Sequence, residues 1–374
     1  VSTNNWFSIF KRPEVLGFLS LALISVVNSR NRFGALVGGA LSISPSGATD
    51  LWRAYFESWH EVGMGSSLAT PPWVALIAIA SLVTLGKVQF FITLFFLIAP
   101  LLMMWSCFNL LKKLTDNRWI SIPASFLYAL SPVTIAATGS GKIATLVLLI
   151  AMPFVAFLLH DWRDIEKYRW RKIFAISLLF SLLYAFTLMS FVIALVAAIA
   201  ISVDNYREFA RTVDKELFDQ RILKRAAIVF IPFLINAPFS FEALVNPNRL
   251  LVEPGLLIPG GGPFAALLGN PGGTDSVPLW LVSPILLILV ISLFSSTHAR
   301  PIAEYGFGAL SLAVLLASLS ISTHGNEGVA RVWTGPVLSI ATLAAVAAGT
   351  VMLDRLRQTL VLSHVHYRHI LSAI

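Results

Sequence analysis

Apolar residues in this chain occur in long blocks separated by short polar or charged intervals, rather than with the period of a strand or of a solvent-facing helix. Reading the blocks in order predicts a first helix over Val15 to Val27 and full-length spans over Gln89 to Leu111, Ile120 to Ala137 and Ile143 to Leu159. The 29-residue run Ile173 to Ile201 is read as two spans joined near Thr187 to Ser190, which keeps its flanking basic clusters on one side. Ala226 to Phe239, Leu279 to Phe294, Ile302 to Ser320 and Pro336 to Leu353 complete the set. Trp73 to Leu85, at thirteen residues, falls short of the ~20 needed to cross a bilayer and reads as a half-helix or interfacial helix. The fold class predicted is all-α: a polytopic transmembrane bundle of about ten spans with interfacial helices, forming one integral membrane domain over residues 1–374.

Three polar intervals interrupt the blocks. Residues 28–72 form a first outer loop, with Phe33 to Ile43 read as interfacial; 240–278 form a second, rich in Pro and Gly; and 322–335 form a third. Residues 204–225 differ from these. Tyr206, Phe209, Ala210, Val213 and Leu217 share one helical face while Arg207, Glu208, Arg211, Asp214 and Lys215 occupy the rest, which predicts an amphipathic helix on the cytoplasmic membrane surface.

Composition agrees with a membrane setting. Of 374 residues, 57% are hydrophobic and 12% charged, with mean hydropathy +0.79; the charge content is about half that of soluble domains, which excludes a soluble enzyme. The net charge of +8 is not spread as a nucleic-acid footprint, and no nucleic-acid partner is expected. With the spans above, twenty Lys and Arg fall on one side, the densest group being Arg163, Lys167, Arg169, Arg171 and Lys172. Seven fall on the other: Arg30, Arg32, Arg53, Lys87, Lys142, Arg249 and Arg331. That bias makes the first side cytoplasmic, both termini included, and turns the three polar intervals outward. The location expected is a bacterial plasma membrane, with membrane lipids as partners. The single Cys107 allows no intrachain disulfide, and no small-residue cleavage site follows Val1, so no removable signal peptide is expected.

Candidate chemistry concentrates in the first outer loop. Read as a helix capped by Thr49 or Asp50, the segment puts Arg53, Glu57, His60 and Glu61 at i, i+4, i+7 and i+8 on one face. Trp52, Phe56 and Trp59 lie toward the membrane interface. Such a strip can present a carboxylate as general base, or carboxylates and an imidazole to a divalent cation, beside a lipid-linked phosphate. It can equally be an Arg53–Glu57 ion pair on a solvated face. In the second loop Arg249 is a candidate phosphate-binding guanidinium or a plain interfacial anchor; Glu242, Asn246, Asn248, Glu253 and Gly260 to Gly262 accompany it. Gly139-Ser-Gly-Lys142 resembles the tail of a phosphate-binding loop, but Ala136 stands at the required first glycine and Ile143 replaces the Ser or Thr, so the pattern fails. His324, Glu327 and Arg331 are too sparse to read, and His364, His366 and His369 read as a basic juxtamembrane tail rather than a metal site.

Gly38-Gly-Ala-Leu41, Asp50 through Gly65, Pro71-Pro-Trp73, Leu85-Gly-Lys87, Phe126-Leu-Tyr-Ala-Leu-Ser-Pro132 and Leu251-Val-Glu-Pro-Gly-Leu256 together resemble the membrane region of large actinobacterial family 2 glycosyltransferases. The layout is also similar to type C glycosyltransferases, which take sugars from polyprenyl-phosphate donors at the outer face. That resemblance implies transfer of a hexose or pentose in cell-envelope glycan assembly, with Asp50 as catalytic base or metal ligand and Glu57 or Glu61 as alternatives. Arg53, His60 and Arg249 would bind substrate. It implies a polyprenyl-phosphate-linked sugar as ligand and a soluble sugar-transfer domain or subunit as partner, since no Asp-x-Asp nucleotide-sugar domain lies within these residues. A non-catalytic scaffold or lipid-linked glycan translocase is the alternative of a different class.

Overall fold

The computed structural model describes residues 12–30, 34, 36–60, 65–160, 162–212, 215–273, 278–295, 298–322 and 329–362. It is mostly helical. In chain order come α1 (Pro13–Ser29), α2 (Ala48–Phe56), α3 (Trp73–Ala80), α4 (Val88–Leu114), α5 (Arg118–Ala129), α6 (Pro132–Gly139), α7 (Ile143–Leu158), α8 (Trp170–Phe186) and α9 (Met189–Thr212). They are followed by α10 (Lys215–Ile235), α11 (Phe239–Val245), α12 (Pro263–Leu267), α13 (Leu279–Leu293), α14 (Ala299–Ala317) and α15 (Gly335–Leu362). Between the last two, β1 (Ser320–Ser322) pairs antiparallel with β2 (Val329–Arg331), with Ile321 opposite Ala330, where the sequence reading has the end of the span Ile302 to Ser320 and the loop 322–335.

By length and apolarity four helical stretches among the described residues can cross a membrane: Val88–Leu114, Arg118–Gly139, Met189–Tyr206 and Gly335–Thr359. A fifth is counted if α10 and α11, bent by 101°, form one broken span. Several further apolar helices, among them α1 and α7, are shorter. The chain is therefore a helical bundle with four or five full-length candidate spans, fewer than the ten read from its apolar blocks, because several blocks fold into helices of 15 to 17 residues.

The bundle is apolar inside and out. Met103, Met104 and Leu111 of α4, Tyr128 of α5, Leu146 and Leu149 of α7, and Val337, Leu338 and Ala341 of α15 form its buried centre. Phe90, Trp105, Leu178, Ile199, Leu234, Leu287 and Leu315 face outward and are exposed. Water would penalise so much outward apolar surface; lipid does not. α14 and α15 approach closely through small residues, with Gly306 lying directly against Ala344. At the α10–α11 bend polar side chains bind nearby carbonyls: Asn236 Nδ2 donates to Ser181 O of α8 at 3.0 Å and to Pro232 O at 2.8 Å, and Ser240 Oγ donates to Phe233 O at 2.6 Å.

The amphipathic surface helix read over 204–225 is corrected. α9 carries straight on to Thr212, and the polar half of the interval opens α10. Arg221 and Lys224 within it are engaged rather than solvated. Arg221 grips Glu166 with two hydrogen bonds of 2.8 and 3.2 Å, and Lys224 Nζ donates to Glu166 O and Tyr168 O. Those charges are spent holding the turn Trp162–Lys167 against α10.

Candidate functional site

In the first polar interval the predicted strip does not form. α2 starts after Gly47 and ends at Phe56; Glu57 is already extended, so Arg53, Glu57 and His60 do not share a helical face. Beyond α2, His60 pairs with Ser66 through backbone hydrogen bonds of 2.8 and 2.9 Å. His60 Nε2 lies 3.0 Å from Thr70 Oγ1, whose hydroxyl donates to Ala54 O at 2.9 Å, so the imidazole braces the loop. Asp50 Oδ2 accepts from Gly47 N at 3.3 Å and Ser46 Oγ at 3.1 Å, which is the work of a carboxylate capping its own helix. Arg53 and Glu57 are exposed. Trp52 stacks on Phe56 at 5.7 Å, and Phe56 and Trp59 are exposed aromatics at the outside of this segment. Glu61, His324, Glu327, His364, His366 and His369 lie outside the described residues. Among the described residues no three His, Cys, Asp or Glu side chains come together as a metal-holding group, and Asp50, Glu57 and His60 form no such set.

Arg249 is also accounted for. Its Nη1 pairs with Glu242 Oε2, and Glu242 Oε1 accepts from Ala69 N at 2.6 Å, tying the second polar interval to the first. All three intervals are in fact knit together at one end of the bundle, over the turn joining α6 to α7. Ala40 N donates to Ser140 O at 2.8 Å, Leu256 N to Ala40 O at 2.9 Å, and Gly260 N to Arg331 O at 3.0 Å. Gly255 is needed for this: its φ is +97°, and a Cβ there would sit 2.1 Å from Ala40 O.

At the centre of that cap lie two charged side chains to which the sequence reading gives no role. Glu253 is 4% exposed and Lys142, the residue before α7, 2%. Thr145 Oγ1 donates to Glu253 Oε1 at 2.6 Å, and Trp333 Nε1 donates to Thr145 Oγ1 at 2.9 Å. Lys142 Nζ stands 5.5 Å from the centre of the Trp333 ring. α15 can begin against this chain of hydrogen bonds only because its first residue is glycine: a Cβ on Gly335 would lie 2.3 Å from Trp333 Nε1 and 2.7 Å from Thr145 Oγ1. Glu253 Oε2 has no hydrogen-bond partner among the described residues, and the Lys142 ammonium forms no ion pair there.

No family model, curated protein or solved structure matches this chain. The site must be judged by its own chemistry. Burial pushes the Glu253 carboxyl up to about 7, against the pull of the Lys142 charge and the Thr145 hydrogen bond. Burial lowers the Lys142 ammonium, and the Glu253 charge resists that shift. A carboxyl poised there exchanges a proton readily near neutral pH, and a dry ammonium beside it can offset negative charge that develops on a bound group. A groove of about 860 Å³ lies at the opposite end of the α5–α6 span, lined among others by Arg12, Glu14, Asp116, Arg118, Asp354 and Arg357. It is open, its two signs of charge are balanced, and Arg118 and Glu14 already pair at 2.7 Å. The buried pair is the stronger candidate.

Sequence reasoning missed this pair because its parts are far apart in the chain: Thr145 is 108 residues from Glu253 and 188 from Trp333. The available signal was that Lys142, Glu253 and Trp333 each stand within two residues of a glycine in a polar interval.

Proposed function

We propose that this chain is a multi-pass protein of a bacterial plasma membrane that transfers a sugar from a polyprenyl-phosphate carrier at the outer face, in cell-envelope glycan assembly. The observation that carries this reading is the buried Glu253 and Lys142 at the capped end of an otherwise apolar bundle. A proton-exchanging carboxyl and a positive charge are held together in a buried site, which this reading sets at the level of a lipid's phosphate. The excess of Lys and Arg in the other intervals favours placing this end outside and both termini inside. On this reading the shorter helices also cross, about ten crossings in all, with local thinning of the bilayer absorbing the mismatch at fractions of a kcal/mol per Å. A soluble sugar-transfer domain or subunit is the partner this arrangement calls for.

The test is transfer from polyprenyl-phosphate sugars to carbohydrate acceptors in vesicles carrying the full chain. Glu253→Gln is expected to lower turnover by about 10²-fold or more, while Asp50→Ala changes it by less than about threefold. Unaffected turnover in Glu253→Gln would take the catalytic role from Glu253, and no turnover by the wild type would instead favour a scaffold or glycan translocase. The hydrogen bond from Thr145 and the loop bonds around Ser140 already give that second reading a basis, since they also make Glu253 a tie between loop and bundle.

A further inference from the structure

Glu253 and Lys142 leave two open valences at one place. The carboxylate oxygen Oε2 is buried and lacks a donor among the described residues. The ammonium is buried and has no ion-pair acceptor there, only the face of Trp333. The two form no direct ion pair, yet both lie against the Thr145–Trp333 hydrogen bond, Glu253 through Thr145 Oγ1 and Lys142 over the indole ring. One small group that accepts from the lysine and donates to the carboxylate would complete both. A phosphate satisfies the ammonium but is repelled by the carboxylate, and a metal cation has the opposite difficulty. A hydroxyl satisfies both. The Trp333 indole, itself 3% exposed and held by its hydrogen bond to Thr145, closes the site on the lysine's side.

We propose that Lys142 and Glu253 together bind one hydroxyl of a carbohydrate, Lys142 Nζ donating to its oxygen and Glu253 Oε2 accepting its hydrogen. The binding stands independently; its catalytic use rests on the transfer reading above. In transfer, the O–H bond breaks and the proton passes to Glu253 Oε2. The hydroxyl oxygen bonds to the anomeric carbon of the donor sugar. The bond from that carbon to the carrier phosphate breaks, and its electron pair leaves on the phosphate. Glu253 then returns the proton to solvent or to the departing phosphate.

The experiment is saturation-transfer NMR on the full chain in lipid nanodiscs, with methyl α-mannopyranoside and methyl α-arabinofuranoside as probes and glycerol at matched hydroxyl concentration as control. The wild type is expected to bind at least one glycoside more strongly than glycerol. Glu253→Gln and Lys142→Met are each expected to weaken that binding by at least about tenfold, the loss of one hydrogen bond to a charged group. Asp50→Ala should bind as the wild type does. Lys142→Met/Glu253→Gln, which buries no uncompensated charge, guards against misfolding and should also fail to bind while keeping its unfolding transition. No glycoside signal from the wild type means that the pair holds only water, and overturns the proposal. So does equal binding of glycerol, or undiminished binding by the variants. Glycoside binding without transfer from any lipid-phosphate donor would remove the transfer reading and leave the hydroxyl site standing.

Discussion

The first polar interval and the α6–α7 cap offer the same kinds of side chain and use them in opposite ways. Asp50, Arg53, Glu57 and His60 lie within eleven residues of one another, and the folded chain disperses them: one caps a helix, one braces a loop and two face outward. Lys142, Thr145, Glu253 and Trp333 come from three separate stretches of the chain, and the folded chain buries them in one cluster. Charge that is close in sequence is easily solvated and easily spent on local structure. Charge that the tertiary fold brings out of water is costly unless something repays it, and that cost makes the second cluster the more informative one.

The largest expected effect on stability lies at Glu253. Its folded-state value of about 7 exceeds the ordinary 4.5, so between those values the folded chain holds a proton that the unfolded chain releases. Its contribution is fully present below the ordinary value and is lost as pH rises through the folded one, a span of about 3 kcal/mol. Unfolding of wild type and Glu253→Gln across that window, in the same micelles, should therefore differ in slope, with the wild type losing stability relative to the variant as pH rises. Parallel curves would return Glu253 to the ordinary company of Asp50.

A middle-sized effect is expected at Gly335. Adding a methyl group collides with Trp333 Nε1 and Thr145 Oγ1, so Gly335→Ala should cost about 1–3 kcal/mol by overpacking and should weaken glycoside binding as well. Unchanged unfolding would mean that α15 can slide away from the cluster. In the first interval the effects should be smaller. Asp50→Ala should cost about 1 kcal/mol, the worth of a helix cap, and exposed Glu57→Ala less than about 0.5 kcal/mol. A loss at Glu57 as large as that at Gly335 would erase the contrast between the two regions.

Much of the bundle was legible because burial in lipid requires long apolar blocks, and blocks leave a plain trace. The break between α8 and α9 falls at Thr187 and Leu188, within the junction read from the run Ile173 to Ile201, and the stretch Trp73 to Leu85 gives a short α3 with one 3₁₀ turn. What escaped was set by tertiary contact. No glycine or proline marks the end of α2 at Phe56, and the pairing of His60 with Ser66 beyond it overrides helical spacing. The basic positions of 204–225 have the spacing of a solvated face, yet Lys224 and Arg225 are buried where carbonyls of the preceding turn receive them. Glu253 was visible as an acid in a loop. Nothing local distinguished it from Glu242, which has Arg249 as a partner, whereas the burial of Glu253 depends on α7 and the strand-to-helix corner at Trp333.

Infrared difference titration of the full chain in nanodiscs measures the central claim most directly, because it sees the protonated carboxyl itself. The account predicts a carboxylic-acid carbonyl band that disappears as pH rises through about 7 in the wild type and in Asp50→Ala, and is missing from Glu253→Gln. A band that is gone by the ordinary carboxylate range, or one that survives in Glu253→Gln, would contradict it.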